Sequence, residues 1–180
     1  MATTSEVSLE WAQQLSEKYQ STLRESAPGE PEFKTTLQNF KALLTELKNL
    51  SYVHLADLTA YDEAPANPRF HVVYELISMK DKKRCAVIVP LSDEAPSIPT
   101  IIDLWKGANW LEREVYDMYG IQFEGHPDQR RILLPPSFKG FPLRKDFVVD
   151  YRQEFEKSLV EEQVFDPFGA TLVRGGGNTK

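Results

Sequence analysis

Glu112, Arg113, Glu114 and Asp117 fall within about two turns of one strongly charged segment, Asn109 to Gly120. Side chains on a helix project every ~100°, so Glu114 and Asp117 share a face, as do Arg113 and Asp117. A Glu114–Asp117 dyad with His126 as base would make a stand-alone acid/base enzyme. The position of Asp117 argues against that chemistry. It falls in the last turn, where the helix dipole disfavours an anion by ~0.3–1 kcal/mol. Arg113 precedes it, which is the weaker orientation for an i, i+4 pair. An acid placed there is better explained by a cation from outside the helix. The face therefore reads as an ion-pair anchor rather than a catalytic pair.

The cations follow at once. Residues 124–146 carry Arg130, Arg131, Lys139, Arg144 and Lys145 against Glu124, Asp128 and Asp146. This stretch is locally +2 in a chain whose net charge is −6. Four prolines and two glycines oppose a continuous helix or a central strand. Six apolar residues (Ile132, Leu133, Leu134, Phe138, Phe141 and Leu143) are too many for a solvated loop. Arg144, held in Pro142-Leu143-Arg144-Lys145-Asp146, is pre-organised for two-pronged contact with a carboxylate. Aromatic and arginine residues together are the composition of an interface centre. A ribbon of this kind is expected to dock on a neighbouring subunit, because it cannot bury itself well on a small domain. Its amides should exchange quickly alone and slowly when assembled.

Other chemistries find little footing. His126 precedes Pro127 and is extended, while His54 and His71 lie in predicted strands, so no second ligand completes a metal set. The one cysteine, Cys85, sits in an apolar run and reads as a small buried hydrophobe. A Gly-rich phosphate loop, a GxSxG elbow and a CxxC pair are all missing, so no cofactor is expected in this chain. The net charge of −6 argues against nucleic acid. The start, MATTSEVSLEW, lacks a signal-peptide pattern. The longest apolar run, Cys85 to Leu91, falls far short of the ~20 residues that span a bilayer. A soluble or peripheral protein is expected.

The elements that position these residues follow from hydropathic period. Trp11, Leu15, Tyr19 and Leu23 predict a helix over 5–24 opened by Ser5, broken by Pro28-Gly29-Glu30-Pro31. Leu37, Phe40, Leu44 and Leu47 predict a second, from Thr35 or Thr36 to Asn49. The pattern then changes to strands at Tyr52–Thr59, Arg69–Met79 and Arg84–Val89, the last two forming a hairpin about Lys80-Asp81-Lys82-Lys83. Residues 90–99 read as a loop, and Ser97 or Thr100 can cap a short helix containing Ile101, Leu104 and Trp105. Asn109 with Glu112 has the spacing of a capping box. Ala108, Leu111, Val115 and Met118 give that helix its buried stripe, and Gly120 its left-handed end. The class is α+β: a mainly antiparallel sheet with helices on one face. The division is a domain over 1–120, an extended docking arm over 121–165 and a flexible tail over 166–180.

Five blocks in order carry a resemblance. Glu112-Arg113-Glu114, Tyr116 to Ile121, Gly125-His126-Pro127-Asp128, Arg130-Arg131-Ile132-Leu133 and Pro142 to Phe147 resemble the signature of the thirty-kilodalton subunit family of respiratory complex I. Asp57-Leu58-Thr59 and Arg69 through Tyr74 look like its strands. Phe141 stands where that family usually has histidine, and Val148-Val149-Asp150-Tyr151 replaces a Pro-Leu-x-Gly-Tyr run. In these departures the chain looks more like subunit J of the cyanobacterial and chloroplast NAD(P)H dehydrogenase-like complex. The resemblance implies a cofactor-free subunit of a peripheral arm, on the cytoplasmic or stromal side of a thylakoid membrane. Its implied partners are the large quinone-site subunit and the iron–sulfur subunits. Electrons from ferredoxin or NAD(P)H would pass along the partners' clusters to plastoquinone, coupled to proton pumping. The equivalent subunit of respiratory complex I or of a membrane-bound hydrogenase is the alternative. On this reading the partner-facing residues are Glu112, Arg113, Glu114, Asp117, His126, Asp128, Arg130, Arg131, Phe138, Phe141, Leu143, Arg144, Lys145 and Asp146.

Overall fold

A computed structural model describes residues 10–92 and 94–148. Its first helix, α1 (Glu10–Lys18), buries Ala12 and Leu15. This is shorter than expected: Leu23 lies in strand β1 (Thr22–Ala27), and Ser5 is outside the described residues. Pro28-Gly29 turns the chain tightly into β2 (Glu30–Lys34) rather than simply ending a helix. Gly29 takes a φ of +81°, which glycine adopts without strain. The sequence hid β1 because nearly all of its residues are exposed, so no alternation marks it.

Helix α2 (Phe40–Asn49) ends where expected but starts later, after a turn in which Thr36 O accepts the N–H groups of Asn39 and Phe40, both at 3.1 Å. It buries Phe40, Leu43, Leu44 and Leu47. Strands β3 (His54–Asp62), β4 (Phe70–Ser78) and β5 (Lys83–Leu91) follow. The β4–β5 hairpin forms as its sequence predicts, with Phe70 opposite Leu91 and Ser78 opposite Lys83. The five strands lie in the order β1-β2-β5-β4-β3, with β2 and β5 the parallel neighbours and the other pairs antiparallel. Phe70, Val72, Tyr74 and Leu76 alternate along β4 and so face one side of the sheet. They join the leucines of α2 in the core, where the Phe40 and Tyr74 rings lie 5.9 Å apart. The α+β, mainly antiparallel class holds.

A second unit runs from β6 (Ser97–Pro99) through α3 (Ala108–Tyr119) to β7 (Gln122–Glu124), with the two short strands paired in parallel. Ile98, Ile121 and Phe123 are buried there. The expected boundary at residue 120 therefore falls inside the core: Ile121 is buried and β7 (Gln122–Glu124) follows it directly, so these residues belong with β6 and α3. Residues 149–165 of the expected arm and the tail over 166–180 lie outside the described residues. The short helix expected near 101–105 is a turn in which Ile101 O accepts the N–H groups of Leu104 and Trp105, each at 2.9 Å.

Two details of α3 govern the site. The helix begins at Ala108 behind Gly107, and no side chain caps it. Glu112 cannot fold back as a capping residue because it is engaged elsewhere, as described below. Its far end closes as expected at Gly120, with φ +72° and its N–H on Tyr116 O at 2.8 Å. A Cβ at Gly120 would run into the Phe141 ring and the Arg144 guanidinium. Glycine here permits both the left-handed turn and a close approach by the ribbon.

Candidate functional site

The last turn of a helix leaves its carbonyls without intrahelical donors. In α3 the ribbon supplies them. Leu143 N–H donates to Met118 O at 3.1 Å, Arg131 Nη1 to Asp117 O at 3.1 Å, and Arg144 Nε to Tyr119 O. With Tyr116 O bonded to Gly120, all four terminal carbonyls are satisfied. The ribbon is thus the C-terminal cap of α3. Its cations sit at the negative end of the dipole, where they are stabilised.

Asp117 holds the ribbon from the side. Its carboxylate is fully buried, with Arg131 Nη1 donating to Oδ1 at 2.7 Å. The N–H groups of Ile132, Leu133 and Leu134 all donate to Oδ2, at 3.0, 2.8 and 2.9 Å. Burial alone would push this carboxyl upward; the three amides and Arg131 outweigh it and hold the group below the ordinary carboxylate range. The cation expected to explain Asp117 therefore comes from the same chain. Arg113 does not pair with Asp117. It donates to Arg130 O at 3.0 Å and Arg131 O at 3.2 Å, and its guanidinium lies 5.5 Å from the centre of the Trp110 ring. Glu114 is exposed while Asp117 is buried, so the postulated acid dyad is not brought together.

Phe138 and Phe141 cage cations of their own chain. Arg131 lies 5.7 Å from the centre of Phe138 and 5.2 Å from that of Phe141. Arg144 lies between Phe141 at 4.7 Å and Phe70 at 4.9 Å. Burial lowers the Arg144 guanidinium from its usual value. A further knot ties the ribbon to the β3–β4 loop. Asp62 is paired with Arg69, and its Oδ2 accepts the Lys145 N–H at 2.9 Å. Asp146 reaches Arg69 at 3.2 Å, and Lys145 Nζ donates to Ala64 O at 2.9 Å. Hydrogen bonds from Arg69 hold the Asp62 carboxyl far below its usual range, against the opposing effect of burial. The ribbon is anchored to its own domain through these bonds but is not buried on it: every residue of 126–148 is half-buried or exposed, so the expectation that it cannot bury itself well there holds. The buried acids Asp117 and Asp62, together with the open carbonyls of α3, give it polar partners, and its apolar side chains stay partly or largely exposed.

Glu112 is the second fully buried acid of α3. It accepts from Thr100 Oγ1 at 2.6 Å and from Ile101 N–H at 2.8 Å, and lies 3.9 Å from His126 Nε2. Burial pushes its carboxyl up, partly offset by these two donors. His126 accepts the Asp128 N–H on Nδ1 at 3.0 Å, so Nε2 carries the proton toward Asn109 O at 3.2 Å. Both side chains have no solvent exposure, so no substrate reaches them. Asp128 pairs on the surface with Arg130 at 2.6 Å. Among the described residues no three histidine, cysteine or acidic side chains form a metal-sized group.

Sequence reasoning missed Asp62, Gln129 and Trp110. The ribbon partner of Asp62, Lys145, lies 83 residues away along the chain, beyond any local pattern. Gln129 completes the outer edge of β7, accepting the Phe123 N–H and donating to Ile121 O, both at 3.2 Å. Trp110 did carry a signal: it is an aromatic residue off the buried stripe of α3. It is 60% exposed, Leu133 is 61% and Leu143 is 53% exposed. What this arrangement can do is fix a ribbon rigidly and present apolar side chains outward.

The family described as respiratory-chain NADH dehydrogenase, 30 Kd subunit, matches residues 33–153. An NADH-quinone oxidoreductase subunit of Neorickettsia sennetsu is 38% identical over 139 residues, covering 77% of this chain and 75% of that protein. NADH-quinone oxidoreductase subunit 5 of Thermus thermophilus is 45% identical over 119 residues, covering 61% of this chain and 58% of that one. The chain thus spans less than two thirds of the Thermus protein. A solved trypsin-resistant fragment of Nqo5 superposes with a TM-score of 0.62 at 36% identity, covering 67% of this chain and 98% of the fragment. A chain of an archaeal membrane-bound sulfane sulfur reductase shares the fold, at TM-score 0.67 and 23% identity over 93% of this chain and 98% of that one. With its signature residues gathered around α3 and the ribbon that caps it, the chain belongs to the 30 kDa subunit family of respiratory-chain NADH dehydrogenase.

Proposed function

We propose that this chain is a cofactor-free scaffold subunit in the peripheral arm of a quinone oxidoreductase. In this reading α3 and the ribbon hold neighbouring subunits, the large quinone-site subunit and the iron–sulfur subunits among them. Clusters on those partners carry the electrons to quinone. The observation that carries it is the Asp117 cradle: a buried charge and three backbone amides are spent on fixing a ribbon whose Leu133 remains exposed. Residues expected to face partners but used internally (Asp117, Arg131, Phe141 and Arg144) then act by positioning. Glu114 and Leu143 are exposed and available for contact, whereas Lys145, though exposed, has its Nζ on Ala64 O. Among the described residues no helix is long and apolar enough to cross a membrane, which fits a peripheral attachment.

Two branches share this reading. The bacterial relatives, which carry the name of NADH-quinone oxidoreductase, favour the respiratory form. Phe141, which packs edge-on to Tyr116 at 6.2 Å, is the feature that favours the thylakoid, plastoquinone-reducing form with ferredoxin as donor. Affinity purification of the tagged chain from its native membrane tests the function. Co-purification with iron–sulfur and quinone-site subunits is expected, and NADH or reduced ferredoxin, whichever reduces the clusters, assigns the branch. Recovery of the chain alone, with catalytic turnover of its own, would overturn the proposal.

A further inference from the structure

Arg144 is only partly used by the cap it makes. Arginines and phenylalanines alternate where the ribbon meets β4. Arg69 lies over Phe70 at 4.6 Å, Arg144 over Phe70 and Phe141, and Arg131 over Phe141 and Phe138. The outer two arginines have carboxylates: Arg69 pairs with Asp62 and Asp146, and Arg131 with Asp117. The middle one has none. Among the described residues the Arg144 guanidinium forms no ion pair, and its one hydrogen bond runs from Nε to Tyr119 O. A guanidinium carries five N–H donors, so those on Nη1 and Nη2 remain open. The residue is half-buried, so water reaches it only in part. Burial lowers the group from its usual value, and the charges of Asp146 and Asp62 do not make up the loss.

The acids nearby cannot turn to Arg144 without leaving other groups. Asp62 also accepts the Lys145 N–H, and Asp117 holds three ribbon amides. The missing countercharge must come from outside the described residues. We infer that the Nη1 and Nη2 donors of Arg144 are a binding site for a carboxylate side chain of a neighbouring subunit. A carboxylate meets the guanidinium fork with two parallel hydrogen bonds in one plane. It can lie in that plane between the Phe70 and Phe141 rings. A tetrahedral phosphate would carry oxygens out of the plane, toward ring faces that repel negative charge. This rests on the proposed scaffold function and assigns one contact within it: Asp117 fixes the ribbon, and Arg144 grips the partner.

The test uses the purified complex. Arg144→Lys puts a primary amine at this place, and a carbodiimide couples an amine to a carboxylate in contact with it. Mass spectrometry should find that amine joined to an aspartate or glutamate of another subunit. The wild-type chain, which still carries Lys145, should not give that product. Changing the partner acid to its amide should speed exchange of the tagged chain out of the complex about tenfold or more. Arg144→Gln should do the same, and the two changes together should add little to either alone. Because the partner's change leaves this chain intact, its effect cannot come from a loosened ribbon. Coupling to an acid within residues 149–180 of the same chain would make the countercharge internal; the contact would fail while the scaffold function stands. Coupling to no carboxylate in an intact complex, or an amide change without effect, would overturn the contact in the same way. If the tagged chain brings no other subunit with it, the scaffold reading itself fails. A shift of the Arg144 Nε resonance of the isolated chain by inorganic phosphate, and not by acetate, would overturn the carboxylate.

Discussion

Glu112 and Asp117 lie five residues apart on one helix, both fully buried, and their carboxyls shift in opposite net directions. Glu112 has two donors and a histidine 3.9 Å away, and burial keeps its carboxyl above the ordinary range. Asp117 has three amides and a guanidinium, and its carboxyl falls below that range. The difference lies in the number of donors and the presence of a full countercharge, together with the heavier desolvation of Glu112, whose surroundings are more densely packed. It also assigns roles. Asp117 is an anion on which a ribbon is built, while Glu112 is a polar joint between α3 and the chain leaving β6.

Removing the Asp117 carboxylate should have the largest effect. Asp117→Ala leaves Arg131 and three amides without their acceptor, and loss of one member of a buried pair costs roughly 3–5 kcal/mol. Chemical denaturation should register that loss, and the chain should gain protease sensitivity across 130–134. Gly120→Ala comes next. A left-handed conformation costs a residue with a Cβ about 1–2 kcal/mol, and the added methyl must displace Phe141 and Arg144. Its thermal midpoint should fall, with the loss concentrated in the ribbon.

Acidification separates the two acids by sign. Asp117 and Asp62 have depressed carboxyls, so the stability they contribute is complete above the unfolded value, roughly 3.9. It is lost as pH falls below that value toward their folded ones. Glu112 has a raised carboxyl, so its folded form prefers the proton. Stability is therefore lost as pH rises from roughly 4.3 through the raised value. Denaturation midpoints should drop below about pH 4 in the wild type, and this drop should shrink in Asp62→Asn. Glu112→Gln should have the smallest effect at neutral pH, within about 1 kcal/mol of wild type. It should also flatten the loss of stability on the upper side of roughly pH 4.3. A large destabilisation by Glu112→Gln at neutral pH would mean that the ionised form contributes as Asp117 does, and the contrast between them would collapse.

The hydropathic period showed where β4, β5, α2 and the end of α3 lie, because each buries one regular face. Strand β1 escaped it because TLRESA buries almost nothing, and β2 because its two buried residues, Pro31 and Phe33, lie in a five-residue strand beside a Pro-Gly turn signal. The site was legible by residue type and illegible by partner. Asp117, Arg131, Phe141 and Arg144 stood out as misplaced or excess charge and aromatic surface, which is a local property of sequence. That they satisfy one another depends on the ribbon folding back 14 to 25 residues onto the last turn of its own helix. The knot at Asp62, 83 residues from Lys145, depends on tertiary register that no local pattern encodes.

Hydrogen exchange at the amides of Ile132, Leu133 and Leu134 in the isolated full chain tests the central claim, that the ribbon is fixed by its own domain before any partner arrives. All three should exchange slowly in the wild type and quickly in Asp117→Ala, while the β4 amides stay protected in both. Rapid exchange of these three amides in the isolated wild-type chain, slowed only in the assembled complex, would contradict the account and return the ribbon to a free docking arm.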